Sequence, residues 1–214
     1  MLKKSQIKAI VFDIGGVLQL GKYSKPIRGH RERGVHEFIA KKLNISLDQY
    51  FDSLDTAYAK SIEGKIPEKK AIQIISSNLK ITSKKLKQLF KQAYKKHFKL
   101  NKKLIDFSKK LKKNHKFAIL SDQWYLSKKT LITKEIKSVF KPILISCEQG
   151  IRKPNPKFYK LLLKKIKIPA KQVLFIDNQS WNIKPAKKLG FKTILFKNNQ
   201  DFFKKIKKIL KWSQ

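Results

Sequence analysis

The sequence has a single cysteine, Cys147, among 214 residues. No intrachain disulfide can form, and a reducing cytoplasm is the expected setting. Cys147 follows Ile143-Leu144-Ile145 and reads as a small core residue. Acidic residues are also scarce, with 14 Asp and Glu against 52 Lys and Arg, a net charge of +38. Arginine stands only at 28, 31, 33 and 152, so almost all of the excess is lysine. Arg is the residue suited to bidentate reading of bases and phosphates. Its rarity makes the excess weak evidence for specific nucleic-acid readout; a general lysine-rich bias is the simpler reading over a field that attracts anions, and non-specific, salt-sensitive adhesion to RNA or DNA is expected either way. Long apolar runs are missing, and none approaches the length needed to span a bilayer. Lys3 and Lys4 precede apolar residues, but Asp13 interrupts that stretch and no small-residue cleavage site follows, so a secretory signal is not expected. Hydrophobic residues make up 41%, which suits a folded chain rather than a disordered one.

Short apolar runs are present, at 8–12, 116–120, 143–146, 173–177 and 193–196. Helix-periodic segments separate the last four. Leu104, Ile105, Phe107, Ser108 and Leu111 fall on one face, as do Phe158, Tyr159, Leu161, Leu162 and Ile166. Ile183, Ala186 and Leu189 keep helical spacing until Gly190 stops them. Such alternation predicts an α/β fold, a parallel Rossmann-like sheet with helices on both faces. Residues 20–98 differ, with no convincing strand and four amphipathic helices. They predict a helical cap inserted into a core formed by 1–19 and 99–214. The basic, amphipathic segment from Phe202 to Trp212 suits a last helix docked on the sheet better than a membrane-surface helix.

Chemistry-bearing residues stand where these runs end. Ala9-Ile10-Val11-Phe12 runs into Asp13, and Ile14-Gly15-Gly16 follows as a tight turn. Val173-Leu174-Phe175-Ile176 runs into Asp177. A carboxylate at the C-terminal end of a buried parallel strand points into the crevice where ligands bind, and two of them can share a cation. Between them lie Ile119-Leu120-Ser121-Asp122 and Arg152-Lys153-Pro154-Asn155-Pro156, and Asn178 and Asn182 follow Asp177.

These four motifs, in this order, resemble the haloacid dehalogenase superfamily of hydrolases, and most of all its sugar-phosphatase branch, which includes glucose-1-phosphatase-like proteins. The resemblance runs through nearly the whole chain. It implies a Mg²⁺-dependent phosphatase of a small phosphorylated metabolite. Asp13 is then the nucleophile and forms an aspartyl-phosphate. Asp13, Asp177 and the main-chain carbonyl of Gly15 hold the Mg²⁺. Ser121 donates to a phosphate oxygen, the Gly15 and Gly16 amides form an anion nest, and Lys153 places a fixed positive charge between phosphate and nucleophile. Asp122 and Arg152 are candidate substrate contacts, with Arg152 otherwise covering the adjacent loop, and Asn182 is expected to position the loop bearing Asp177 or to cap the helix behind it.

The sequence departs from the pattern at three places. Most phosphatases of the superfamily carry a second Asp two residues after the nucleophile, which protonates the leaving oxygen and later activates water. Here that position is Gly15. General acid–base help is worth about 100- to 10,000-fold, so its loss points to good leaving groups, a recruited group, or a weak or inactive catalyst. Asn178 stands where Asp is common, and Asp122 where Asn is usual. Two alternatives remain open. A dehalogenase needs no general acid, although dehalogenases of the superfamily lack the metal carboxylate that Asp177 would supply. A basic, RNA-associated binding module would account for the charge. Arg28, His30, Arg31 and Arg33, with His36 close behind, either reach the cleft and bind an anionic or hydroxylated substrate or form a solvated loop and helix start.

Overall fold

The computed structural model describes residues 7–21 and 33–210. In chain order they form β1 (Ala9–Phe12), β2 (Gln19–Gly21), α1 (Arg33–Leu43), α2 (Leu47–Ile62), α3 (Glu68–Asn78), α4 (Ser83–His97), β3 (Phe98–Leu100), α5 (Lys102–Leu111), β4 (Lys116–Ser121), α6 (Tyr125–Leu131), α7 (Lys134–Val139), β5 (Ile143–Ile145), α8 (Ser146–Gln149), α9 (Pro156–Ile166), β6 (Val173–Asp177), α10 (Ser180–Lys188), β7 (Lys192–Leu195) and α11 (Asn199–Leu210). All five apolar runs are strands. They form one parallel sheet in the order β5-β4-β1-β6-β7.

Strand alternation explains why the runs are apolar throughout. Ile10 and Phe12 of β1, Phe117 and Ile119 of β4, and Leu174 and Ile176 of β6 enter one hydrophobic cluster. Ala9 and Val11, Ala118 and Leu120, and Val173 and Phe175 enter another. A strand covered on both faces has no solvent side on which to place polar residues. α11 completes the first cluster: Phe202, Ile206 and Leu210 are buried, and the Phe202 ring lies 6.0 Å from that of Phe12. The final helix therefore docks on the core, as its apolar face suggests.

Helices α1 to α4 all lie between β2 and β3. Those two three-residue strands pair antiparallel and are the strands that the sequence pattern missed. They tie together the two chain crossings between sheet and helices. The helical insert then meets the rest of the molecule at Trp124, directly after β4. The Trp124 indole donates to Tyr94 Oη (2.9 Å), and its ring lies 4.5 Å from Phe90 and 5.0 Å from Tyr58. Edge-to-face rings at these separations add to the burial energy.

A second contact joins the α2–α3 turn to α8. Gly64 has φ +67°, and a Cβ there would lie 2.8 Å from the Cys147 carbonyl oxygen. The turn requires both the left-handed backbone and the missing side chain. Gly64→Ala is expected to destabilise the protein by about 2 kcal/mol, from the strained φ and the backbone clash together. Urea unfolding checks this, and an unchanged midpoint would mean that the two loops part freely. Cys147 itself is buried, and burial pushes its thiol up to about 11, consistent with an inert core residue.

Candidate active site

β1 is the middle strand, with β4 on one side and β6 on the other. Connections from the strands thus lead to opposite sides of β1, and a crevice opens beyond the C-terminal ends of these strands. Asp13 follows β1, Ser121 ends β4 and Asp177 ends β6, so three residues 164 positions apart at their extremes meet in that crevice.

Lys153 joins them. Its Nζ donates to Asp13 Oδ1 at 2.9 Å and to Asp177 Oδ2 at 2.6 Å, and its side chain is only 2% exposed. It arrives on the loop between α8 and α9, where Asp122 Oδ1 accepts from the Lys153 backbone N–H (3.0 Å). Asp122 Oδ2 also faces Arg152 Nε at 3.6 Å. Asp122 and Arg152, both expected at the substrate, thus pair with each other and brace the loop that delivers Lys153. Asp177 is held from its other side as well: Oδ1 accepts from the Gln179 N–H (2.7 Å) and Oδ2 from Asn182 Nδ2 (3.1 Å). The Asn182 carbonyl in turn accepts from Tyr159 Oη (2.8 Å). Asn182 therefore positions Asp177, as expected. Tyr159 behind it had no sequence signal beyond its helical spacing.

Charge in this cluster is unbalanced, with Asp13 and Asp177 sharing one buried ammonium. Burial pushes the Asp13 carboxyl up to about 6; Lys153 opposes the shift and Asp177 reinforces it. Burial alone would lower the Lys153 value, but the facing carboxylates of Asp13, Asp177 and Asp122 outweigh it and hold the ammonium well above the ordinary lysine range.

Gly15 and Gly16 play different parts. Gly16 has φ +79°, and its N–H donates to the Gln19 carbonyl at 2.8 Å. That amide belongs to the turn, which corrects the expectation that it serves an anion nest. Gly15 needs no unusual φ, and the nearest atom to a Cβ built there is Gln123 Nε2 at 3.9 Å, an ordinary contact. Ser121 Oγ accepts from the same Gln123 Nε2 (3.1 Å) and, more weakly, from the Ile14 N–H (3.4 Å). Its hydroxyl also helps to hold down the Asp13 pKa. Gln123 is buried beside Ser121 and was not foreseen, because a single Gln in a loop carries no motif.

Arg28, His30 and Arg31 lie outside the described residues, and Arg33 opens α1. His36 does not join a cleft: it is buried among Tyr50, Phe51 and Tyr58, with Nδ1 3.1 Å from Tyr50 Oη. Asn178 is buried next to Asp177.

The family model described as haloacid dehalogenase-like hydrolase matches residues 7–190. The chain belongs to this family of hydrolases. Among curated relatives, it is 24% identical over 216 residues to D-ribitol-5-phosphate phosphatase of Bacteroides thetaiotaomicron, covering 95% of this chain and 98% of that protein. It is 28% identical over 103 residues to bifunctional epoxide hydrolase 2 of Sus scrofa, a match that takes in 46% of this chain but only 19% of that much longer protein. Among solved structures, a haloacid dehalogenase family enzyme from Bacteroides thetaiotaomicron, an aspartate-to-alanine mutant in complex with magnesium and inorganic phosphate, superposes with a TM-score of 0.73. That pair is 20% identical, covering 89% of this chain and 94% of the other, so the likeness concerns the fold. Among the described residues no helix is long and apolar enough to cross a membrane.

Proposed function

We propose that this haloacid dehalogenase-like hydrolase is a Mg²⁺-dependent phosphatase of a small phosphate ester, a sugar or polyol phosphate, acting through phospho-Asp13. The observation that carries the reading is the convergence of Asp13 and Asp177, from two strands, on the single ammonium of Lys153. The name of the phosphatase relative aligned over 95% of the chain supports the same substrate class. In this reading residues 1–19 and 99–214 are the hydrolase core, and residues 20–98 form a cap that sets substrate choice. The placement of α1 to α4 between β2 and β3 supports that division.

The donor set fits a small hard cation. Two carboxylates meet at one point with a negative charge left uncompensated, and the Asn182 Oδ1 beside them is buried without a hydrogen-bond partner. Among the described residues no third His, Cys or acidic side chain joins them to form a metal cluster. Asp13, Asp177 and the Gly15 carbonyl would hold the Mg²⁺, with water and substrate as its other oxygen donors. When bound, the cation supplies charge neutralisation on the phosphoryl oxygens.

The residues of the chain supply the rest. Lys153 keeps Asp13 oriented and ionised, and its charge meets the negative phosphoryl group. Ser121, with its lone pairs engaged by Gln123 and Ile14, donates its hydroxyl to the Asp13 carboxylate and can turn it to a phosphoryl oxygen when substrate is bound. Asp13 attacks phosphorus and the ester oxygen departs. Water then hydrolyses the acyl phosphate, and Asp13 is restored.

The test is phosphate release from sugar, polyol, acyl and nucleotide phosphates, with Mg²⁺ and with EDTA, alongside halide release from 2-haloacids. Mg²⁺-dependent phosphate release, abolished by EDTA, is the expected result. Halide release that persists in EDTA, without phosphate release, would replace the reading with a dehalogenase.

A further inference from the structure

Gly15 leaves a space two residues after the nucleophile, and one side chain borders it. Gln123 Nε2 is the nearest atom to the position a Gly15 Cβ would take, at 3.9 Å. The Gln123 backbone is fixed on both sides by one hydroxyl: its N–H donates to Ser146 Oγ (3.0 Å), and Ser146 Oγ donates to its carbonyl (3.3 Å). The next residue, Trp124, is clamped among Tyr58, Phe90 and Tyr94. The backbone is therefore held from behind, and the side chain, 8% exposed, lies against Ser121 and the space at Gly15. Among the described residues its carboxamide makes one hydrogen bond, from Nε2 to Ser121 Oγ at 3.1 Å. An amide has two N–H donors and a carbonyl acceptor. One N–H and the carbonyl are thus left for a molecule bound at the site.

We propose that Gln123 is a catalytic residue of the phosphatase reaction, its carboxamide hydrogen-bonding the ester oxygen as it leaves and then the water that replaces it. The proposal rests on the phosphatase reading above. In the first step the phosphorus–ester oxygen bond breaks while a bond forms from Asp13 to phosphorus. The departing oxygen takes its proton from water, and the Gln123 N–H stabilises the charge that develops on it. In the second step a water oxygen bonds phosphorus, the Asp13–phosphorus bond breaks, and the proton of the water passes to solvent. The Gln123 carbonyl accepts from that water and orients it. Gln123 never changes its protonation state, so the enzyme has a hydrogen-bond donor where relatives with an acidic residue have a proton donor. This device favours leaving groups that need stabilisation more than full protonation.

The experiment compares kcat/KM for ribitol 5-phosphate, an alkyl phosphate, with that for p-nitrophenyl phosphate, whose leaving oxygen needs no help. Both are measured with Mg²⁺ for wild type, Gln123→Ala, Gln123→Glu and Gly15→Asp, alone and combined. Loss of one donor to a developing oxyanion costs roughly 100- to 1,000-fold. Gln123→Ala is expected to lower kcat/KM for the alkyl ester by that factor and for the aryl ester by less than tenfold. Gln123→Glu, nearly the same size, should keep alkyl turnover but make it fall as pH rises through the new carboxyl. Gly15→Asp, for which there is room, should restore alkyl turnover to Gln123→Ala. Equal losses on both esters, or no loss on either, would overturn the proposal. So would a Gln123→Glu pH profile identical to wild type. Wild type that releases phosphate from neither ester would overturn the phosphatase reading, and the proposal with it.

Discussion

Lys153→Ala will lose both turnover and about 3–5 kcal/mol of stability in EDTA, and Mg²⁺ will restore much of the stability but not the turnover. The magnitude is that of breaking a buried ion pair by removing one partner, which leaves the other charge buried and unmatched. Here two charges are left. Asp13 and Asp177 both take hydrogen bonds from the Lys153 ammonium, and the Asp177 side chain is fully buried. The Phe175 ring, 5.8 Å from Nζ, offers no charge to replace it. For a chain of this length each kcal/mol moves Tm by roughly 2–4 °C, so the expected fall is about 6–20 °C. A cation that binds the native site and not the unfolded chain returns stability in proportion to the logarithm of its concentration. The test is Tm against Mg²⁺ concentration for wild type and variant. The variant's rise should begin at lower Mg²⁺, since nothing in it competes for the carboxylates. Rises that begin at the same concentration would mean that Lys153 and the cation do not share these two groups. Under the proposed mechanism turnover stays lost, because the charge that would face the phosphoryl group is gone.

Asp13→Asn has the opposite signature, with activity abolished and stability kept or improved. Removing a nucleophile that forms the covalent intermediate costs at least about a thousandfold in kcat. Stability moves the other way because the substitution leaves Asp177 and Lys153 as a balanced pair. The pH dependence gives the sign. Burial, opposed by Lys153 and reinforced by Asp177, raises the Asp13 carboxyl from its ordinary 3.8 to about 6. The native state therefore binds this proton more tightly than the unfolded chain does. The advantage is present below about pH 4 and is lost as pH rises through about 6. Wild type in EDTA should lose this contribution across that interval, and Asp13→Asn should not. Thermal unfolding of both proteins from pH 4 to 7 measures it. Parallel curves would show that Asp13 carries no net burial penalty.

Much of the site was legible because its residues lie at strand ends. Ala9 to Phe12 and Val173 to Ile176 are apolar at every position, as strands buried on both faces must be, and the Asp that ends each run stands out. Asn182 could be assigned from its spacing after Asp177. Lys153 was legible only through the motif order that the resemblance supplies, which set its charge beside Asp13. Nothing in Arg152-Lys153-Pro154 tells one lysine of a lysine-rich chain to bond Asp177 as well. Gln123 was hidden for a related reason. Its meaning depends on an empty volume at Gly15 and a hydroxyl at Ser146, and neither is local to it. β2 and β3 escaped because three residues are too few for a period-two pattern, and each is a strand only through the other. Gly16 was misread because its turn conformation was visible in the sequence, whereas the Gln19 carbonyl that takes its N–H was not.

Trp124 has a consequence for how this protein can change. Ser121, Gln123 and Trp124 lie within four consecutive positions; Ser121 reaches Asp13, Gln123 reaches Ser121, and Trp124 is gripped by aromatic residues of α2 and α4. Swinging the helical insert away from the sheet would pull on the same short segment that shapes the chemistry. The packing of the helical insert and the setting of Asp13 are thus inherited together. A variant with new residues around Trp124 also inherits a new setting for Ser121 and Gln123, although Tyr58, Phe90 and Tyr94 all belong to the helical insert.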